Sequence, residues 1–321
     1  MKKNLLTAAV VAVLSAQSVF AAVEVDSKIG SYEKTSGVSG QLSSIGSDTL
    51  NNLMTYWSEG FTKIYPIVKT QVEGKGSSTA PPALIEGIAQ LGPMSRKMKS
   101  KEIDDFVEKY GYKPTEIRVA IDSLAVYVNK DNPVEQLTME EVDAIFSKSR
   151  NKGYPTDITT WGHVGLAGEW ADKPMSLYGR NSASGTYGYF KEHTLGKGDY
   201  KDTVKEQPGS ASVVQGVEKD LGGIGYSGIG YKTSGVKAIA LANKSGEPYY
   251  EPSIENAISG NYPLARYLYV YVNKKPGEQL DKLTYEFVKY VLSREGQESV
   301  IKDGYISLSA DVVEAELEKL R

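Results

Sequence analysis

Three short segments share one chemistry and one context. Gly46-Ser47-Asp48-Thr49, Gly76-Ser77-Ser78-Thr79 and Arg180-Asn181-Ser182-Ala183-Ser184-Gly185-Thr186 each follow a strand-like run and open a helical pattern. A chain built on such strand, turn and helix units folds as an α/β protein with the turns at the carboxyl ends of its strands. The turns also constrain chemistry, because a helix N-terminus leaves up to about four backbone N–H groups unpaired and carries roughly half a positive charge. Such an end holds a compact anion, with Ser and Thr adding O–H donors and Gly letting the backbone come close. One turn of this kind is an ordinary N-cap. Three in one chain, one with Arg180 four residues ahead of Ser184, outline an anion site.

Gln41 to Ile45 reads as a strand, and Leu50, Leu53, Met54, Trp57, Phe61 and Ile64 then recur at helical spacing until Pro66. Ile67 to Val72 predicts a second strand, followed past the second turn by a short helix entered through Pro81 and Pro82. Ala89 to Met94 predicts a third strand ending at Ser95-Arg96, and the alternation predicts a parallel sheet. Ala125 to Lys130 and Tyr269 to Lys274 echo one another and are expected to pair as strands crossing between two lobes. The chain would leave the first lobe near Ile121 and return near Arg266, so that 22–121 and 263–321 form one lobe and 122–262 an inserted second. Within the insertion, Thr138 to Glu141 is a capping box before Val142, Ile145 and Phe146, and Met175 to Tyr178 is a strand feeding the third turn. Helical patterns around Thr284 to Leu292 and Ala310 to Leu320 are expected to pack on the first lobe.

Met1-Lys2-Lys3-Asn4, the apolar run Leu5 to Leu14 and the small residues up to Ala21 have the layout of a secretory signal, with cleavage expected after Ala21. The mature protein is then expected to be exported. Removing Lys2 and Lys3 leaves 35 basic against 40 acidic residues, a net charge of −5, which is not the balance of a nucleic-acid binder. An anion would therefore be drawn by a local site and not by the general field. With no Cys in the chain, a disulfide framework, thiolate metal sites and a cysteine nucleophile are excluded.

Gly223-Ile224-Gly225-Tyr226-Ser227-Gly228 matches a dinucleotide pattern, but Val236 to Leu241 after it reads as a strand, so we expect a tight turn between short strands. Gly74 to Ser78 lacks the Gly-Lys-Ser/Thr order of a phosphate loop. His163 and His193, the two histidines, have no metal-ligand spacing, and no metal or cofactor is expected. A Ser-His-Asp hydrolase stays open on composition alone, although no Gly-x-Ser-x-Gly elbow is present. Arg180 is the leading ligand residue, since its guanidinium carries fixed donors that match a tetrahedral oxyanion.

Taken in order, Gly46 to Leu50, Gly76-Ser77-Ser78, Leu91 to Arg96, Leu137 to Phe146 ahead of Trp161-Gly162, Arg180 to Thr186 and Ile224 to Gly228 make the chain similar to the periplasmic phosphate-binding proteins of bacterial ABC phosphate importers. The resemblance implies a two-lobed periplasmic binding protein fold of the Venus-flytrap kind (type II), with two hinge-crossing strands. It implies capture of one dehydrated inorganic phosphate by a monomer, delivery to a membrane permease, and no chemical reaction. Carried over by position, it places phosphate among Thr49, the backbone N–H of Leu50, Ser77, Arg180, Ser184, Gly185 and Thr186, with Ser47 and Ser95 in the same turns. Many relatives carry an Asp beside the Ser that ends the third strand and another two residues after the binding Arg, where this chain has Arg96 and Ser182. A carboxylate there accepts the proton that phosphate carries and sulfate lacks. Asp122, a charge in an apolar strand, is the favoured substitute, Asp48 the second, and Asp122→Asn is expected to weaken phosphate more than sulfate. Arg96 either adds a second cation or points outward. Other tetrahedral oxyanions, such as sulfate or molybdate, are the alternative ligands, and an exported phosphatase or serine hydrolase is the alternative class.

Overall fold

A computed structural model of the protein describes residues 24–321, and the expected signal segment with its cleavage point lies outside them. The chain runs β1 (Gly40–Gly46), α1 (Asn51–Ile64), β2 (Val68–Gly74), α2 (Ala80–Ile85), β3 (Gly92–Met94), α3 (Ser100–Tyr110) and β4 (Thr115–Ser123). It continues through β5 (Ala125–Asn129), β6 (Gln136–Thr138), α4 (Met139–Phe146), β7 (Ser176–Arg180), α5 (Gly185–His193), β8 (Lys205–Gln207) and α6 (Ser210–Glu218). Then follow β9 (Gly223–Ser227), β10 (Val236–Ala238), β11 (Ala240–Ala242), α7 (Ile254–Ile258), β12 (Ala265–Val272), α8 (Lys282–Val291), α9 (Arg294–Lys302) and α10 (Ala310–Glu318). No described helix is long and apolar enough to cross a membrane.

Among the described residues each lobe has one main mixed sheet, and β6 and β11 of the second lobe form a separate parallel pair. In the first, β1 pairs parallel with β2, and β12 lies antiparallel between β3 and β4. The parallel bridge Ser44 to Leu91 and the bond from Ser47 N–H to the Pro93 carbonyl, 2.8 Å, join the two groups. In the second, the order is β10-β5-β9-β7-β8, with β7 parallel to both neighbours and β5 antiparallel to both of its own. The expected all-parallel sheet is thus corrected to a mixed one. Parallel pairing holds where the anion turns leave the sheets, and the strands at the crossing run antiparallel because the chain goes out and comes back there.

The two echoing segments do not pair. β5 belongs to the second sheet and β12 to the first; β4 and β12 form the paired crossing, with Asp122 opposite Arg266 and the Leu124 N–H bonded to the Leu264 carbonyl at 3.1 Å. Their likeness has another cause. Each strand is buried on both faces, so Val126 and Val128 enter one core and Tyr127 the other, while Val270 and Val272 enter one and Tyr269 and Tyr271 the other. Period-two alternation between two covered faces writes the same Tyr-Val pattern twice. Trp57 and Phe61 of α1 and Phe287 of α8 cover one face of the first sheet, with Leu84 and Phe106 from α2 and α3 on the other.

Gly223 to Ser227 is a fully buried strand, not the expected turn. Its glycines serve packing, for a methyl on Gly225 would lie 2.9 Å from both the Tyr178 carbonyl and Val213 Cγ1. The single strand expected over Val236 to Leu241 is two, β10 and β11, in different sheets. The capping box at Thr138 forms as expected, with Thr138 Oγ1 accepting the Glu141 N–H at 3.1 Å and Glu141 accepting the Thr138 N–H at 2.8 Å.

Candidate functional site

β1, β2 and β3 end side by side, which brings their carboxyl ends to one edge and delivers Ser47, Ser77 and Ser95 to it. From the first two ends the backbone turns through a tight 3-10 turn, Asp48–Leu50 or Ser77–Thr79, into α1 or α2. In the other lobe β7 ends at Arg180, and Ser184 caps α5, its Oγ accepting the N–H groups of Thr186 at 3.1 Å and Tyr187 at 3.3 Å. Facing helix ends place four buried hydroxyls together. Thr49 Oγ1 lies 3.0 Å from Thr186 Oγ1, Ser95 Oγ 3.4 Å from Thr186 Oγ1, and Ser77 Oγ 3.3 Å from Ser95 Oγ. Ser77 Oγ also accepts the Ser95 N–H at 3.0 Å.

Glycine makes this approach possible. A methyl on Gly185 would sit inside contact distance of Ser77 Oγ and 2.6 Å from Ser95 Oγ. Gly76, at φ +118°, lies so close to the facing turn that a methyl there would stand 2.5 Å from the Ala183 carbonyl. The same carbonyl accepts the Ser78 N–H at 3.1 Å, one of several bonds that link the two lobes.

Behind the hydroxyls stands Arg266, which the sequence reading used only to mark the chain's return. Its Nη2 donates to Thr186 Oγ1 at 2.9 Å and its Nη1 to the Ser95 carbonyl at 2.9 Å. Nε and Nη2 both reach Asp122 Oδ2, at 3.0 and 2.8 Å, and Asp122 Oδ1 accepts the Ile229 N–H at 2.9 Å. Asp122 is fully buried, and the bonds it accepts come from Arg266 and the Ile229 N–H and from none of the four hydroxyls. The feature that drew attention to Asp122, a charge in an apolar strand, applies equally to Arg266 in Leu264 to Val272. Two opposite charges at the two crossing points were the available signal.

Arg180 is 1% exposed and turned toward the other lobe. Nη1 donates to Ser210 Oγ at 2.7 Å, Nη2 donates to the Pro208 carbonyl at 3.2 Å and lies 3.3 Å from Asp48 Oδ2, while Nε has no partner among the described residues. Burial pulls this guanidinium below its ordinary pKa, and the Asp48 charge opposes that shift. The hydroxyl bonds above do not include Arg180. Asp48 Oδ2 also accepts the Ser210 N–H at 2.7 Å. Ser210 and Tyr231, whose hydroxyl reaches the Asp48 carbonyl at 2.8 Å, carried no sequence signal, since neither stands in a distinctive pattern.

Arg96 pairs with Glu102, its Nη2 lying 2.7 Å from Oε1 and its Nη1 2.8 Å from Oε2, and Nη2 also donates to Ser78 Oγ of the second turn at 3.3 Å, so that it is buried beside that turn without bonding any of the four hydroxyls. It is a structural ion pair on the β3–α3 loop. The aromatics of α5 serve packing, as expected: Phe190 stacks on Tyr226 with ring centres 3.9 Å apart, and Tyr189 lies under the Arg266 guanidinium at 5.1 Å. Chemically the site is rich in neutral donors, and each of its two guanidinium groups already faces one carboxylate. Such a set suits a small, desolvated oxyanion.

The sequence pattern of the PBP superfamily domain matches residues 32–295. A curated relative, the phosphate-binding protein PstS of Pseudomonas aeruginosa, is 58% identical over 300 residues, covering 94% of this chain and 93% of that protein. Protein SphX of Synechococcus elongatus is 30% identical over 280 residues, covering 86% and 80%. A Clostridium perfringens protein solved with bound phosphate superposes with a TM-score of 0.70 at 24% identity, covering 84% of this chain and 100% of that one, and shares the fold. With two lobes, facing helix ends and these relatives, the chain belongs to the PBP superfamily and, within it, to the family of the PstS phosphate-binding proteins.

Proposed function

We propose that this chain captures inorganic phosphate between its two lobes and presents it to the permease of an ABC importer. The observation that carries this reading is the meeting of Thr49, Ser77 and Ser95 from one lobe with Thr186 from the other, at facing helix ends. Removing an anion from water costs several kcal/mol, and charge-assisted hydrogen bonds of about 1.5–3 kcal/mol each offset it when enough donors converge. Phosphate is held, on this reading, by those four hydroxyls, by Ser47, Leu50, Ser184 and Gly185 through the open helix ends, and by the unpartnered Nε of Arg180. Arg266 joins the set through Thr186, with Asp122 behind it as counter-charge.

Residues 22–121 and 263–321 form the first lobe and 122–262 the second; the cores, drawn from 25–120 with 268–320 and from 124–264, support this division, with Leu264 just past the boundary packing in the second core. The protein is exported, its signal is removed after Ala21, and it works as a monomer in the periplasm. Binding proceeds without turnover, for among the described residues no poised base stands beside the hydroxyls.

Titration calorimetry with phosphate, arsenate, sulfate and molybdate tests the ligand. Tight phosphate binding is the expected result, and tight sulfate or molybdate binding without phosphate would assign another oxyanion. Turnover of p-nitrophenyl phosphate that Arg180→Ala abolishes would replace the binding role with a hydrolase.

A further inference from the structure

We propose that Asp48 is the positioning carboxylate of the site: carried by the first lobe, it meets Arg180 and the α6 N-terminus of the second lobe only when the lobes are together, and so sets how long the anion is held. The inference rests on the phosphate reading above. Asp48 lies in the first anion turn, yet the polar partners of its carboxylate are in the other lobe. Oδ2 accepts the Ser210 N–H at 2.7 Å and faces Arg180 Nη2 at 3.3 Å. Oδ1 lies where a methyl on Gly209 would approach to 3.2 Å, and the backbone carbonyl accepts the Tyr231 hydroxyl at 2.8 Å.

Arg180 depends on this visitor. Its other partners, Ser210 Oγ and the Pro208 carbonyl, are neutral, and among the described ion pairs its carboxylate comes from Asp48 alone. A guanidinium among neutral acceptors in a poorly solvated place keeps its charge at a cost, which a facing carboxylate reduces. When the lobes part, the motion that opens the site also takes Asp48 away, and Arg180 is left as an uncompensated cation that attracts an anion. Closure returns Asp48 to the outer edge of the guanidinium, and the unpartnered Nε stays available to the ligand. Asp48 therefore acts on the closed lobes and not on the arriving anion. On this assignment Oδ2, shared between an N–H and a guanidinium, is committed to the contact between the lobes and is not the atom that takes the phosphate proton.

Stopped-flow phosphate binding and small-angle scattering of wild type, Asp48→Asn and Asp48→Glu test the assignment. Asp48→Asn should release phosphate about tenfold faster with an association rate within about twofold of wild type, since the pair steadies the closed lobes and not the open ones that admit the anion. Without phosphate this variant should have a larger radius of gyration than wild type; with saturating phosphate the two should coincide, which also shows that the variant is folded. Asp48→Glu should recover part of the slow release. Unchanged release with unchanged scattering, or a loss carried wholly by association, would overturn the role of Asp48. Failure of the wild type to bind phosphate would instead sink the phosphate reading, and the ligand-free scattering comparison would still test the contact.

Discussion

Single atoms decide this site. Gly185 has no side chain because Ser77 Oγ and Ser95 Oγ of the opposite lobe occupy that space. Gly185→Ala is therefore expected to lower phosphate affinity by at least about a hundredfold while moving the melting temperature by no more than a few degrees, since the clash arises only where the lobes meet. Calorimetric titration beside a thermal melt checks it, and equal damage to both would place the methyl in a lobe's own core. Asp122 carries a different prediction. It neutralises a buried Arg266 that touches both lobes, so Asp122→Asn should cost about 3 kcal/mol of stability, as breaking one side of a buried pair does. Phosphate and sulfate affinities should fall by the same factor, and a selective loss of phosphate would restore Asp122 as the proton acceptor. Ser77, Thr49 and Thr186 were readable from their turns because a hydroxyl at a helix start is a local feature. Arg266 was not, because its meaning comes from Thr186, 80 residues away in sequence.

Elements were legible wherever one strong local pattern covered them. α1 follows from its apolar spacing, α4 from its capping box, and β7 from the apolar run into Arg180. β9 was misread because glycines normally mark turns, whereas here they let a strand pass under α6. A methyl on Gly225 would press on Val213 and Val217 of α6 at 2.9 and 3.0 Å, as well as on the Tyr178 carbonyl. Gly225→Ala should thus destabilise the protein by about 1–3 kcal/mol, the usual cost of overpacking a closed interior. Chemical denaturation measures it, and a neutral or stabilising result would return Gly223 to Gly228 to the class of permissive turns. The pairing of β4 with β12 was equally hidden, since burial writes the same alternation on any strand covered on both faces, and pattern alone does not choose a neighbour.

At the scale of the whole molecule, the end of α9 packs on the inserted segment. The Asp303 carbonyl lies 2.5 Å from where a methyl on Gly230 would stand, and the buried Asp303 Oδ2 has no partner among the described residues. Burial raises the pKa of this carboxyl from 3.8 to about 7. Between those two values the unfolded chain gives up a proton that the native chain keeps, so this group makes stability fall as pH rises through that window, with the loss complete above it. Asp303→Asn should remove the decline and raise stability near pH 7.5 by about 1–2 kcal/mol after allowance for the solvent that reaches the group. Melting curves at pH 4 and pH 7.5 test this, and a variant as pH-sensitive as wild type would rule Asp303 out as the source. The amino-acid sequence by itself determined that the chain is an α/β protein with hydroxyl-rich turns at strand ends, because helix spacing, caps and strand alternation act over a few residues. Only the tertiary structure decided which charges meet. Arg266 found Asp122 across paired strands and Arg180 found Asp48 across the two lobes, and a Coulomb interaction depends on distance in space, which sequence separation does not record.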